Sequence, residues 1–442
     1  MILQRTAKNN DKVRLKEMKA MEASAAKNVK TALFSPFVIK LLVIMFVVEF
    51  VKGALLLTIL PVYMAVVLGA SAYAIGWTLA AQYIGDNALR APVGWIIDRI
   101  GYRACMLSGV LVTFASVVII AVAGHYAWTI TACALLGLGT APLWPCVITG
   151  ATEVAGDEGK GTVLSVVHLA WLSGTGIGPV VINFFLKGSE FGPAFRILLG
   201  CMTVVVVVAL LLPGRKQREA ERAANMDGDG SKGNGKGWLE HASAYFREVR
   251  ASLTVSPLLF PAMFLQTFAI GILSPILTLY ARQELSLTPT QFSLFLIAGG
   301  AVTVVLLVPV GKLVDKYGTK FFLAAGFGLG AATLFLFTFT RSLYVLYGYV
   351  TLIGMAYACI IPAWNVLIAA AVPEEKRGAI WGFFLTIEGL GSVIGPIVSG
   401  KLWDVFGPRV PFMTSGGVLA LLFVLQLLLV QRSGKEERMK AG

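Results

Sequence analysis

The chain has 442 residues, of which 57% are hydrophobic and only 14% are charged, and its mean hydropathy is +0.78. This composition excludes a water-soluble globular protein and predicts an integral membrane protein. The net charge of +13 does not indicate a nucleic-acid partner, because the basic residues are concentrated at the ends of apolar segments and in the long polar stretches.

The first 36 residues are polar and basic, with eight Lys or Arg among residues 1–31 and no apolar core. We predict a cytoplasmic extension here rather than a cleaved signal peptide. Twelve apolar stretches follow, each about as long as a membrane-spanning helix requires. They cover residues 37–68, 73–97, 104–124, 127–151, 161–186, 192–212, 257–281, 289–314, 321–340, 343–371, 378–402 and 410–431.

These stretches predict an all-α membrane protein of twelve transmembrane helices, since they are too long for barrel strands and only helices or closed barrels satisfy the backbone in lipid. They form two sets of six, residues 37–212 and 257–431. The segment 213–256 between them is predicted to be a cytoplasmic linker with an amphipathic helix over 238–253, and residues 432–442 a cytoplasmic tail. The linker has the spacing of a phosphate loop at 230–236, but Gly237 replaces the metal-binding hydroxyl and no strand precedes it.

The distribution of basic residues predicts the orientation. With both termini in the cytoplasm, the cytoplasmic segments hold 28 Lys or Arg and the outer segments hold 6. The positive-inside rule therefore predicts that the protein lies in the cell membrane with both termini on the cytoplasmic side.

An internal repeat links the two sets of helices at a constant offset of 217 residues. The segments GWIIDRIGYR (94–103) and GKLVDKYGTK (311–320) share one pattern, and the Gly-Pro pairs at 178–179 and 395–396 repeat at the same offset. The shared pattern predicts a gating latch in which an Asp ends a helix and pairs with a neighbouring Arg or a helix N-terminus. The alternative is a set of solvated loop charges. The residues concerned are Gly94, Asp98, Arg99, Gly101 and Arg103, and Gly311, Asp315, Lys316, Gly318 and Lys320.

Charged residues occur near the middle of the first two predicted helices. Glu49 and Lys52 are three residues apart, and Gln82, Asp86 and Arg90 are spaced by four, so each set shares one helix face. A charge is costly in lipid, and both faces are therefore predicted to point into the bundle or a wet cavity. The alternative is that Glu49–Lys52 and Asp86–Arg90 are only internal ion pairs that hold helices together.

The second half has lost this charged set, which predicts a cavity with a polar N-terminal wall and a mostly apolar C-terminal wall. Such a cavity suits an amphiphile whose polar head binds the charged wall. The carboxylates could also carry protons as access alternates between the two sides. The repeat places Gln266, Ala269, Thr303 and Leu307 at the positions of Glu49, Lys52, Asp86 and Arg90, and Glu388 at the position of Trp171.

Aromatic residues complete the predicted cavity. We place Trp144, Trp171, Trp364 and Asn365 on its walls, although core packing or interface anchoring is an alternative for the tryptophans. For His168, helix packing is favoured over a role as a proton relay. The five cysteines lie in apolar segments without metal-binding spacing, and we interpret them as core residues.

Two six-helix halves, a basic central loop and the duplicated G-x-x-x-D-[RK]-x-G-x-[RK] pattern resemble the major facilitator superfamily. The resemblance implies a substrate cavity between the halves and transport by rocking of one half against the other. Several phrases are also similar to the lipoteichoic-acid glycolipid flippases of Gram-positive bacteria. These are EFVKG (49–53), YIGDN (83–87), PLW (142–144), HLAWLSG (168–174), FPAMFLQ (260–266), PAWN (362–365) and WGFFLTIEGLGSVIGP (381–396).

The resemblance to the flippases implies a proton antiporter that moves a diglucosyl-diacylglycerol anchor between leaflets. It assigns the pocket acids to Glu49 and Asp86 and aromatic positions to Trp144 and Trp171. Two departures bear on the headgroup: Lys52 stands where the family has Arg, and Glu388 stands where the family pattern has an amide.

We therefore predict a proton-coupled flippase or exporter of a glycolipid-like amphiphile, with protons and membrane lipids as its other partners, working as a monomer. A multidrug or small-amphipath proton antiporter is the alternative. No HExxH or GxSxG pattern occurs and there are only three histidines, so we expect neither an enzyme nor a cofactor or metal site.

Overall fold

The computed structural model describes residues 34–89, 93–186, 190–213, 258–370 and 377–441. Nearly all of these residues are helical, and the predicted all-α class is confirmed. The predictions for the basic extension and for the amphipathic helix of the linker fall outside the described residues.

The described residues form twelve helical segments, α1 to α12, of which α2 is described in two parts. Ten of them are long and apolar enough to span a membrane by themselves; α2 and α11 are the other two. The helices are α1 (Pro36–Val66), α2 (Ala72–Ala88 and Val93–Ile100), α3 (Tyr102–Val122), α4 (Tyr126–Val154), α5 (Thr162–Asn183), α6 (Gly192–Leu210), α7 (Leu259–Glu284), α8 (Pro289–Tyr317), α9 (Thr319–Phe337), α10 (Leu343–Ala370), α11 (Arg377–Phe406) and α12 (Val410–Ala441).

The junction of α4 and α5 differs from the predicted break at residues 152–160, because the backbone is helical throughout Leu143–Asn183. The ring centroids of Trp144 and His168 nevertheless lie only 4.7 Å apart. A straight helix would separate two residues 24 positions apart by about 36 Å. The chain therefore reverses direction within this helical run, and α4 and α5 are two antiparallel helices as predicted.

The last helix continues to Ala441 and so passes through the predicted polar tail. This tail is rich in Lys, Glu and Arg, which are good helix formers.

The repeat is visible in the backbone as well as in the sequence. Gly101 and Gly318, which are 217 residues apart, both have φ +82° and both stand between two helices. This conformation favours glycine, which explains why the shared pattern keeps Gly at that position. Ser71 and Thr288 are also 217 apart, and each caps the helix that follows it.

Small residues set the spacing of equivalent helix pairs in the two halves. Gly137 of α4 lies against the carbonyl of Gln82 in α2, and Gly354 of α10 lies against the carbonyl of Gly299 in α8. A Cβ at either glycine would collide with the neighbouring backbone. Such close backbone approach is typical of helix packing in membranes. There the hydrophobic effect does not drive helices together, and small residues allow close van der Waals packing instead.

The two halves meet along two seams, α2 with α11 and α5 with α8. We call the end of the bundle at which α1 joins α2 (residues 67–71) the closed end, and the other end the opposite end. Near the closed end Ser293 of α8 donates a hydrogen bond of 2.9 Å to the carbonyl of Val180 in α5, and the Thr278 hydroxyl of α7 donates to the carbonyl of Leu57 in α1.

The two seams differ in how far they remain in contact. Along the α2–α11 seam, Gly76 and Gly400 each lie against backbone of the other half, and Gly389 lies against the Asn87 side chain. By contrast, α8 and α5 have the smallest buried shares among the ten spans, 11% and 28%. The described contacts across the α5–α8 seam are thus fewer than those across the α2–α11 seam, and the hydrogen bond between Ser293 and Val180 lies near the closed end.

The repeated glycine contacts predict a matched loss of stability. We expect Gly137→Ala and Gly354→Ala each to lower the free energy of unfolding by about 1–3 kcal/mol, because the added methyl group forces backbones apart. Gly348→Ala is the control, since nothing lies within 4 Å of a Cβ there. Thermal unfolding in detergent gives the unfolding midpoint of each of the three variants. Equal midpoints for the two close-packed positions and the control would contradict the close packing.

Candidate functional site

The charged face of α1 begins the candidate site. Glu49 is only 6% exposed. The Nζ atom of Lys52 lies 3.7 Å from Glu49 Oε1, as the spacing of three residues predicts. Immediately after Gly53 the helix widens into a π-helical segment, Ala54–Ile59, a feature that is frequent at functional sites.

Asp86 of α2 faces the same lysine. Lys52 Nζ lies 4.0 Å from Asp86 Oδ2, so that one cation stands between two carboxylates from different helices. The distances to both acids are those of ion pairs and are longer than a direct N–H···O hydrogen bond. The predicted pairing of Asp86 with Arg90 lies outside the described residues. We call Glu49, Lys52 and Asp86 the charged triad.

Two threonines hold the carboxylates of the charged triad. The Thr175 hydroxyl of α5 donates to Glu49 Oε2 over 3.1 Å, and the Thr140 hydroxyl of α4 approaches Asp86 Oδ1 at 3.4 Å. Sequence reasoning missed both threonines, because a lone Thr in an apolar helix normally donates to its own helix four residues back. Thr175 is also placed for that bond, 3.0 Å from the Trp171 carbonyl.

Glycines bring α5 close enough to α1 for the Thr175 contact. A Cβ at Gly53 would lie 2.5 Å from the Thr175 carbonyl oxygen, and Gly174 lies against the carbonyl of Phe46. One repeat later, Gly391 of α11 lies against the carbonyl of Phe264 in α7 in the same way. The approach of these helices is therefore common to both halves, whereas the charges occur in only one.

The α2 face above Asp86 contains two further polar side chains. The Tyr83 hydroxyl is hydrogen-bonded to the Ser274 side chain of α7, which joins this face to the second half. Gln82 is fully buried, and neither its amide nitrogen nor its amide oxygen has a hydrogen-bond partner among the described residues. An unpaired buried amide costs about 1–3 kcal/mol.

Aromatic side chains lie beside the charged triad. Trp144 of α4 packs edge-on against His168 at 4.7 Å and against Trp171 at 6.0 Å, both in α5. His168 Nδ1 also lies 3.0 Å from the Leu164 carbonyl. Trp171 is 37% exposed and precedes Thr175 by one turn, so this aromatic cluster continues the same wall. His168 is part of the cluster rather than an isolated packing residue.

The wall of the second half carries one acid. Trp364 Nε1 of α10 donates to Glu388 Oε1 of α11 over 3.3 Å, and the Trp364 ring packs edge-on against Phe327. Asn365 is exposed, unlike its buried neighbour Trp364. The tryptophan is thus both a packing residue and a partner of the acid.

Gln266, which occupies the repeat position of Glu49, has different surroundings from Glu49. It lines a small apolar pocket inside the second half together with Ile270, Phe327 and Tyr357. The structure therefore places this amide at an apolar surface, in line with the predicted contrast between the two halves.

The repeated gating pattern is exposed where it is described. Arg103 donates to the carbonyl of Leu210 at the end of α6, 2.9 Å away. Arg99 is exposed, as are Asp315, Lys316 and Lys320 in the second half. Lys316 Nζ lies 5.0 Å from the Tyr317 ring. The Asp98 side chain lies outside the description, and so does the detail of Gly94. Gly311 makes ordinary contact with Pro362 of α10.

Metal-binding groups are not part of this arrangement: among the residues that the structure describes, no three His, Cys, Asp or Glu side chains cluster as metal ligands would. The five cysteines are free, with three of them buried. What the site offers is charge, hydrogen bonds and aromatic surface on one wall, facing a largely apolar one.

Comparison with known families gives a match over almost the whole chain. The profile of the Major Facilitator Superfamily matches residues 41–258 and again residues 259–442. The chain is also 26% identical over 371 residues to the "Proton-coupled antiporter flippase LtaA" of Staphylococcus saprophyticus, covering 82% of this chain and 86% of that protein. The proteins of the same name from Staphylococcus epidermidis and Staphylococcus aureus are each 25% identical, covering 82% of this chain and 87% of theirs.

Solved structures share the fold at lower sequence identity. The nucleoside transporter NupG is 16% identical with a TM-score of 0.71, covering 89% of this chain and 99% of its own. A peptide transporter POT bound to sulfate is 17% identical with a TM-score of 0.67, covering 90% and 95%.

The shared lysine of the charged triad leads to a prediction about stability. We expect Lys52→Met to lower the free energy of unfolding by about 3–5 kcal/mol, because it leaves two buried carboxylates without their shared cation. Adding Glu49→Gln should recover part of that loss, since the two residues interact directly. Lys312→Met, at an exposed lysine of α8, is the control. Thermal unfolding of the parent, the two single variants Lys52→Met and Glu49→Gln, the double variant and the control gives the coupling, and strictly additive losses would contradict the proposed interaction.

Proposed function

The chain belongs to the Major Facilitator Superfamily, and we propose that it is a proton-coupled antiporter that flips or exports a glycolipid-like amphiphile by alternating access. The observation that carries this proposal is the charged triad, in which Lys52 stands between Glu49 and Asp86 on one wall only. The likeness to proteins named proton-coupled antiporter flippase supports both the coupling ion and the class of cargo.

The charged triad can link protons to cargo through its charge. With both acids ionised it has two negative charges and one positive charge, and one bound proton makes it neutral. In that state Lys52 is held by one carboxylate instead of two, and the other acid can donate a hydrogen bond. A polar headgroup and a proton therefore compete for the same carboxylates, as exchange of the two requires.

The two walls fit the two parts of an amphiphile. Sugar hydroxyls of a headgroup can donate to the carboxylates of the charged triad, and the apolar face of a sugar ring can stack on the partly exposed Trp171. The second half offers mainly apolar surface for acyl chains, with Gln266 and the Glu388–Trp364 pair as its polar groups. We infer that such chains reach the bilayer between α5 and α8, the two spans with the smallest buried shares.

The orientation follows from the basic residues. With both termini in the cytoplasm, the closed end is the outer face and the opposite end is the inner face, and we infer an inward-facing state. In this state the cavity can take a lipid from the inner leaflet and release a proton to the cytoplasm. We further propose that the protein acts as a monomer in the cell membrane, with no enzymatic step.

A test of coupling uses the acid on α2. We expect Asp86→Asn to abolish proton-driven transfer of a fluorescent diglucosyl-diacylglycerol between the leaflets of proteoliposomes, because the amide cannot exchange a proton or hold Lys52 by charge. Glu190→Gln is the matched control, as it removes an exposed carboxylate at the closed end. Size-exclusion profiles confirm that each protein is folded, and unchanged proton-driven transfer by folded Asp86→Asn protein would refute the assignment.

The same vesicles distinguish the glycolipid from the alternative cargo. Aromatic surface at Trp144 and Trp171 would also suit flat drug-like cations. Efflux of a cationic dye without any transfer of the glycolipid between leaflets would favour a multidrug antiporter. Transfer of the glycolipid that stops when the proton gradient is collapsed would favour the flippase.

A further inference from the structure

The closed end contains a contact that joins the last turn of α11 to the first turn of α2. Asp404 Oδ1 accepts a hydrogen bond of 3.1 Å from the backbone N–H of Ala72, and Asp404 Oδ2 accepts one of 2.9 Å from the N–H of Tyr73. The first N–H groups of a helix have no partner within the helix and carry partial positive charge. A carboxylate from the second half therefore caps a helix of the first half.

Two neighbouring contacts support this cap. Lys401 Nζ lies 5.5 Å from the centre of the Tyr73 ring, and Gly400 lies against the carbonyl of Ala72. Ser71 caps α2 from its own side by accepting from the N–H of Ala74. The local cap and the carboxylate from the other half thus satisfy three consecutive N–H groups, of which Asp404 holds two.

Among the residues that the structure describes, the α5–α8 seam has no equivalent of this contact. One repeat later, the position of Ala72 is Pro289, which has no N–H to donate. The start of α8 is instead satisfied by its own capping box between Thr288 and Gln291. The repeat position of Asp404 is Lys187, which has the opposite charge. The contact is therefore specific to the α2–α11 seam.

We propose that Asp404 is a latch that holds the closed end shut. Opening this end must separate α11 from the start of α2, which removes a charged acceptor from two N–H groups at once. These are charge-assisted bonds, stronger than neutral ones, and their loss opposes the outward-open state. The latch deepens the proposed function as a control on alternating access, but it requires only the rocking motion of the superfamily and not a glycolipid cargo.

Thiol labelling of the closed end tests the latch without substrate or gradient. Ser293 is fully buried at the contact between α8 and α5, so that Ser293→Cys becomes reactive only when this end opens. The background carries Cys201→Ser and Cys359→Ser, because these two cysteines are only half-buried. Labelling by a membrane-impermeant maleimide is followed in nanodiscs, where both faces are accessible.

We expect Asp404→Asn to raise the labelling rate about tenfold over the parent, and Asp404→Glu, which keeps the charge, to stay near the parent rate. Glu190→Gln should leave the rate unchanged. If Asp404→Asn does not fold, Asp404→Ser removes the charge with a side chain that still caps helices. A parent-like rate in the folded neutral variant, or an equal rise in Glu190→Gln, would overturn the latch. Failure of glycolipid transport would leave this result untouched, so the two proposals are tested separately.

Discussion

The structure depends on one electrostatic constraint: charges within the membrane must find partners inside the protein. Lys52 meets it by standing between Glu49 and Asp86, and two threonines from α4 and α5 supply hydrogen bonds to the carboxylates. Four helices of the first half are therefore tied to one small group of charges. The glycines that let these helices approach also support this group of charges, because a threonine hydroxyl reaches a carboxylate on another helix only when the two helices almost touch.

The two halves share one backbone framework, but only the first half carries the charged triad. Matching glycines, helix caps and positive-φ turns recur at an offset of 217 residues, so the two halves share a common backbone plan. The side chains on that plan differ: Gln266 lines an apolar pocket where Glu49 meets a lysine, and Glu388 is held by a tryptophan where Trp171 is partly exposed. The shared backbone plan suits the rocking motion of the superfamily, and the difference in side chains is the basis of the proposed recognition of an amphiphile.

Much of the fold could be predicted from the sequence, because long apolar runs and a repeated glycine pattern are local signals. The proximity of Glu49 and Lys52 follows from helix spacing alone. The sharing of Lys52 with Asp86 does not, since it depends on how α1 and α2 rotate against each other. Thr175 and Thr140 carry no signal in a single sequence, and the contrast between buried Trp364 and exposed Asn365 depends on the register of α10.

Ser293 and Gly76 occupy the same place in the two repeats, and the difference between them has a structural consequence. On one seam glycine lets two backbones touch, while on the other a hydroxyl bridges the gap to a carbonyl. In a dimer of identical six-helix subunits both seams would be the same, since every substitution would occur twice. Joining the halves in a single chain allows the two seams to differ, so that a contact such as the one between Asp404 and the start of α2 can occur on one side only.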